Sequence, residues 1–188
     1  MNKELLDLYT DYLLSSFGAT TATGLSELMK GEISHDDITR MLRSECATGK
    51  HLWLYVKAYV RTIESEAGVL IIDDSIEEKE YTDENEIICW HWDHCKNRNV
   101  KGINFVSALY HSREVSLPIG FEIVAKTEHY LDEKTGRAKR RSPVTKNEMA
   151  LTLIRQAVAN QLLFTYILAD IWFAATDTMN LIKLELKK

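Results

Sequence analysis

The chain has 188 residues, of which 45% are hydrophobic, and a formal net charge of −5. This length supports one domain of ordinary size, or a core with a small appendage, and the apolar share can fill a real core. No apolar run is long enough to span a bilayer, and the acid-containing start Met1-Asn-Lys-Glu-Leu-Leu-Asp is not a signal peptide.

Residues 1–66 read as helical. Leu5, Leu6, Leu8, Tyr9, Tyr12, Leu13 and Leu14 crowd one face at helical spacing. Gly18-Ala-Thr-Thr-Ala-Thr-Gly24 breaks the pattern, and a short helix from Leu25 to Met29 ends at Gly31. Ser34-His-Asp-Asp37 has a hydroxyl cap and first-turn acids, so a helix starts there and carries Ile38, Met41 and Leu42. A longer helix follows, with Leu52, Tyr55, Val56, Tyr59, Val60 and Ile63 on one stripe. Two short helices around a glycine turn suit a helix-turn-helix, and its second helix would offer Ser34, His35, Thr39, Arg40 and Arg43 to DNA. The same pattern is common in plain helical packing.

After Glu66 the period changes. Val69–Asp73 is a short β-branched run of the buried-strand kind. Ile87–Asp93, Asn104–Tyr110 and Val115–Lys126 read as further strands, the last with Pro118 at an edge or bulge. Thr145-Lys-Asn-Glu148 has capping-box spacing and opens a helix with Met149, Leu153, Ile154, Ala157, Val158 and Leu162 on one face. Phe164–Ala169 is the next strand, and Thr176–Leu186 a final helix. A meander of strands followed by a βαβ-like return describes an α/β, ribonuclease H-like mixed sheet with flanking helices, although periodicity alone leaves other α/β topologies open. Residues 67–188 would form this sheet domain, and residues 1–66 an all-α, DNA-binding region.

Charge is uneven along the chain. Eight acids and one lysine lie between Asp73 and Glu86, whereas Lys134, Arg137, Lys139, Arg140, Arg141 and Lys146 form a stretch with no acid. Such a stretch can neutralise phosphates even on an acidic protein, although on charge alone a solvated surface loop is the commoner reading. Asn97-Arg98-Asn-Val-Lys101-Gly102 reads as a polar turn whose Arg98 and Lys101 could contact phosphates. Cys46, Cys89 and Cys95 cannot all pair, which points to a reducing cytoplasm.

Two aspartates carry the most chemistry. Asp74 and Asp170 each follow a buried strand, where two carboxylates can share a divalent metal. Asp73 is adjacent to Asp74 and points to the other face of a strand. Taken singly, each aspartate also suits a plain strand end. Cys89, His91, Asp93 and Cys95 would share a strand face, but structural zinc sites draw on two separated ligand pairs and no second pair exists, so zinc is not expected.

Several segments resemble DDE-type insertion-sequence transposases, in order along nearly the whole chain. They are Leu70-Ile-Ile-Asp-Asp74-Ser75-Ile-Glu-Glu-Lys79, Trp92 to Asn104 with Leu109-Tyr110-His111, Lys126-Thr-Glu, Arg141-Ser-Pro-Val-Thr-Lys146-Asn-Glu, and Ile167-Leu-Ala-Asp170 with Trp172-Phe173. Thr20–Ser26 and Gly31–Thr39 are similar to the amino-terminal helices of that group. The resemblance implies a ribonuclease H-like catalytic domain in which Asp74 and Asp170 are catalytic metal ligands for Mg²⁺ or Mn²⁺, two ions in the intact family. It implies DNA transposition by phosphoryl transfer, with double-stranded DNA and transposon inverted repeats as partners, and a possible homodimer on the DNA. No membrane is involved, and the location would be cytoplasmic, at the nucleoid when DNA is bound. Arg40, Arg43, Arg98, Lys101, Arg137, Lys139, Arg140, Arg141 and Lys146 would be the DNA contacts. The family's glutamate lies on a later helix, so the chain reads as the amino-terminal portion of such an enzyme, expected to be inactive alone. The rival readings are a non-catalytic DNA-binding regulator and a ribonuclease H-like nuclease of another type.

Overall fold

The computed structural model describes residues 3–44 and 48–187, so Cys46 lies outside the described residues. Residues 1–47 and 48–188 form two compact units. In the first, α1 (Lys3–Ser15), α2 (Ala22–Leu28) and α3 (His35–Ser44) enclose Leu5, Leu25, Ile38 and Met41. Thr21 Oγ1 accepts from Gly24 N at 2.9 Å to start α2, and Ser34 Oγ accepts from Asp37 N at 3.1 Å to start α3. Gly31 takes φ +79° between them, a conformation that costs a glycine little. Leu13, Leu14 and Leu42, read as part of the apolar faces, are exposed.

The second unit begins with α4 (Gly49–Ile63) and contains β1 (Val69–Glu78), β2 (Ile88–Asp93), β3 (Arg98–Ser112), β4 (Val115–Ile123), β5 (Glu128–Leu131), β6 (Ala138–Arg141), α5 (Lys146–Ala159), β7 (Tyr166–Ala169) and α6 (Thr176–Asn180). The compact units therefore divide at residue 47, earlier than the boundary at 66 drawn from the sequence. The reason is that α4 packs on β4, with Trp53 and Val60 buried in the core of the sheet. Tyr55 and Tyr59, read as part of that buried stripe, are exposed instead.

The main sheet runs β2-β3-β1-β7, and β4 also pairs with β3. β1 is antiparallel to β3 and parallel to β7, which gives the mixed ribonuclease H-like sheet. The fifteen-residue β3 is longer than its apolar pattern suggested. Its first half pairs with β2 and its second half with β4, so two short strands share one edge. Arg98 to Gly102 is thus strand and not a polar turn; Val100 is buried, and of that segment only Asn97, at φ 49°, belongs to the turn, which begins at His94. β4 is kinked beside Pro118, where the register shifts opposite Ala108 and Leu109.

One sheet face holds the core. Leu70 and Ile72 of β1, Val106, Ala108 and Tyr110 of β3, and Leu153, Ile154 and Ala157 of α5 pack there, together with Phe173 and Leu181. Gly68 allows the closest approach in this layer, since a Cβ there would lie 2.3 Å from the Tyr110 hydroxyl. That hydroxyl donates to Leu163 O at 2.8 Å and accepts from Ser65 N at 3.0 Å, so the segments leading into β1 and into β7 are tied to one buried ring. Asn104, 1% exposed, lies on β3 between the stretches paired with β2 and with β4; its Oδ1 has no hydrogen-bond partner among the described residues.

Candidate active site

Strand alternation decides which aspartate faces the core layer. Leu70, Ile72 and Asp74 share the face covered by α5, whereas Asp73 is exposed on the other. Asp73 instead accepts from Asp74 N through its own carboxylate at 2.9 Å, a local bond within the strand. β1 does not end at Asp73, because its pairing with β3 continues to Glu78; Asp74 therefore sits within a strand, paired with β3 but beyond the last residue paired with β7.

Asp170 arrives from the neighbouring parallel strand. Ile72 is level with Ala169, so Asp170 leaves β7 one step beyond the last paired residue. There it caps a 3-10 turn, Ile171–Phe173, its carboxylate accepting from Trp172 N at 3.4 Å. It also borders a small cavity of about 130 Å³ with Ile72, Ala150 and Ile154, on the same face as Asp74.

The nearest partner of Asp74 is a cation. Thr145 and Glu148 form the capping box at the start of α5: Thr145 Oγ1 accepts from Glu148 N at 3.2 Å, and Glu148 Oε2 accepts from Thr145 N at 2.7 Å. The bonds from Thr145 to the carboxylate hold the Glu148 carboxyl below its usual range. The box fixes Lys146 in the first turn of the helix, and its Nζ donates to Asp74 Oδ2 at 2.5 Å. Sequence reading assigned Lys146 to DNA phosphates and missed this contact. The capping-box spacing that places Lys146 was visible, but the fold that brings it over β1 was not.

Farther along the same face, Cys89 and His91 of β2 are buried, with Sγ and Nε2 3.3 Å apart. Burial, aided by the positive charges of Lys126 and Lys146, lowers the His91 pKa to about 4, while burial pushes the Cys89 thiol up. Asp93 turns its carboxylate to Cys95 N and Lys96 N in the exposed β2–β3 turn. Glu78 is held by Lys96 and Arg98, and His94 of that turn packs on Trp172 with ring centroids 4.9 Å apart. The turn therefore reaches across to the segment that follows Asp170.

The basic stretch is part strand and part loop: Ala138–Arg141 is β6, while residues 134–137 and 142–145 are turn and loop. β5 and β6 form a separate two-stranded hairpin. Lys139 pairs with Asp132, Arg140 with Glu84, and Arg141 with Glu128. In the first unit Arg40 pairs with Asp37 at 3.0 Å, and Arg43 is exposed in the last turn of α3.

Residues 2–183 match the family described as DDE superfamily endonuclease. The chain belongs to that family. Neither a curated protein nor a solved structure matches it. DDE endonucleases as a group use divalent metal, and the donors present suit one: carboxylate oxygens are the hard ligands that Mg²⁺ and Mn²⁺ take. Asp74 already draws a cationic group to it, the Lys146 ammonium. Among the described residues, however, no three acidic, histidine or cysteine side chains gather as a ligand set. No described helix of this DDE endonuclease is long and apolar enough to cross a membrane.

Proposed function

We propose that this DDE endonuclease is a transposase domain that cuts and joins DNA at transposon ends, with Asp74 and Asp170 as its first two metal ligands. The observation that carries the reading is the parallel pairing of β1 with β7, which sets Asp74 on one strand and Asp170, the residue after the other, near the same end of the pair, with a small cavity beside Asp170. Mg²⁺ or Mn²⁺, when bound, would supply Lewis-acid stabilisation of the charge that develops on phosphate oxygens. Asp74 and Asp170 would hold the ion, assisted by the DNA phosphates because two carboxylates alone bind such ions weakly. Lys146 would neutralise Asp74 in the absence of metal and, once displaced, stand beside the scissile strand as a cation for its phosphate. Arg40 and Arg43 on α3 would contact the transposon-end sequence, while Arg98, Lys101, Arg137, Lys139, Arg140 and Arg141 would meet phosphates. The ion pairs several of these make are surface pairs, worth little and readily exchanged for phosphate.

A second reading, a DNA-binding regulator without turnover, is favoured by the Lys146–Asp74 pair, which occupies the acid that metal would need. Mn²⁺ binding followed by spin resonance, together with nicking of supercoiled plasmid, separates the two. The transposase reading expects Asp74→Asn and Asp170→Asn to remove Mn²⁺ binding and Asp73→Asn to spare it. Loss with Asp73→Asn and retention with Asp74→Asn would reassign the site; DNA binding with no Mn²⁺ binding and no nicking would favour the regulator.

A further inference from the structure

A large cavity lies away from the aspartates. It has a volume of about 790 Å³ and opens between the edge of β2 and the β5–β6 hairpin, within the size range of sites that take a small organic ligand. Its lining carries four cations, Lys126, Arg137, Lys139 and Arg140, against one acid, Glu84. Arg140 and Lys139 are engaged with Glu84 and Asp132. Lys126 donates one bond, to Trp90 O at 2.6 Å, which leaves the remaining protons of its ammonium for another acceptor. The Arg137 guanidinium makes no hydrogen bond or ion pair among the described residues.

Two aromatic residues complete the lining. Trp90, on the unpaired edge of β2, is 53% exposed, and Tyr130 of β5 is also exposed, with the Arg141 guanidinium 5.6 Å from its ring centre. Cations able to hold phosphate and exposed ring faces beside them are the two requirements for a nucleotide. A duplex meets only the first, because its base faces are covered by their stacked neighbours, whereas an unpaired base can use both. The recess is also concave, closed on one side by the hairpin, a shape that admits a single nucleotide better than a double helix.

We propose that this cleft binds an unpaired nucleotide of single-stranded DNA, its phosphate held by Arg137 and Lys126 and its base stacked on Trp90. The proposal rests on the reading of the chain as a DNA-handling protein. In that setting the cleft would hold the single strand that cutting or strand separation exposes near the ends.

The test uses the full chain with chelator present and fluorescence anisotropy of a short labelled oligothymidylate and of a blunt duplex. Trp90→Ala should weaken the single strand about 5- to 100-fold and the duplex less than about twofold, and Trp90→Phe should restore most of the loss. Arg137→Gln should flatten the salt dependence of single-strand binding by about 0.7 log unit. Equal losses on both DNA forms, or binding of the duplex alone, would overturn the nucleotide site and leave the DNA reading standing. Absence of binding to either form would overturn both.

Discussion

His91 gives a pH test of the layer beneath the candidate site. The side chain is 6% exposed on β2, packed beside Cys89 and within the fields of Lys126 and Lys146. Burial and these charges lower its pKa from 6.5 to about 4. In the unfolded chain the imidazole takes up its proton as pH falls through 6.5, while in the fold it stays neutral until about 4. Between those values the unfolded state binds more protons, so stability falls as pH falls and is fully present above 6.5. At about 1.4 kcal/mol per pH unit the full loss is on the order of 3 kcal/mol. The assay is the urea midpoint of the wild type and of His91→Gln, measured from pH 7.5 to pH 4 and compared at constant denaturant slope. Subtracting the variant cancels the carboxylates that titrate in the same window. The difference should be flat above pH 7 and decline by roughly 3 kcal/mol toward pH 4. A difference that stays flat throughout would mean that His91 is solvated enough to charge without cost, and the account of its burial would fail.

Ile154→Ala should destabilise the second unit by about 2–5 kcal/mol, because the side chain is 1% exposed between α5 and the sheet; thermal unfolding of the variant measures it. Thr145→Ala should cost about 1 kcal/mol through loss of the α5 cap, and it should also loosen Lys146 from Asp74, seen as a shift of the Lys146 ammonium resonance. Lys146→Gln should raise Mn²⁺ affinity about two- to fivefold by removing a competing cation, while unchanged affinity would show that the pair does not guard the acid. Replacing Arg40 and Arg43 together should reduce sequence preference in duplex binding; replacing Arg137, Lys139, Arg140 and Arg141 should weaken all duplexes alike and flatten the salt slope by up to roughly 0.9 per lost phosphate contact.

The parts of the fold that bury apolar side chains were legible in the sequence. The β-branched run at Val69 and the capping box at Thr145 each announced an element, and β1 and β7 are neighbours as the ribonuclease H order requires. β7 was expected as a buried strand, but it lies at the edge of the sheet with Tyr166 and Leu168 exposed and only Ile167 turned partly into the core. The hairpin β5–β6 was not legible. Its strands are Glu-His-Tyr-Leu and Ala-Lys-Arg-Arg, largely exposed, so no burial pattern marks them. Only the pairing of Glu128 with Arg141 across the strands hints at their register. The first half of β3 was missed for a related reason, since Arg98, Asn99 and Lys101 hide the buried Val100 and the other buried position, Gly102, has no side chain to mark it. In α4 the rule of spacing found Val60 and the flanking Val56 and Ile63 but also took in the exposed Tyr55 and Tyr59, and it left out Trp53, which is buried in the core. Alternation separates Asp74 from Asp73 across the two faces of β1, but the lysine partner of Asp74 depended on how α5 folds back over the sheet.

Two short strands laid end to end along one edge of β3 make that strand a spine with unequal halves. The half from Val106 to Ser112 is clamped between β1 and β4 beneath α5, whereas the half from Arg98 to Ile103 is held on its outer side by β2 alone. Amide hydrogens along a single strand should therefore exchange in two classes, slow where the core layer covers it and faster where β2 can peel away without melting the rest. Because β2 also forms one wall of the basic cleft, that local opening would widen the recess while leaving the two aspartates in place. Continuous in sequence, β3 would then join a slowly exchanging floor to a faster margin, with the boundary at Asn104, where the pairing passes from β2 to β4.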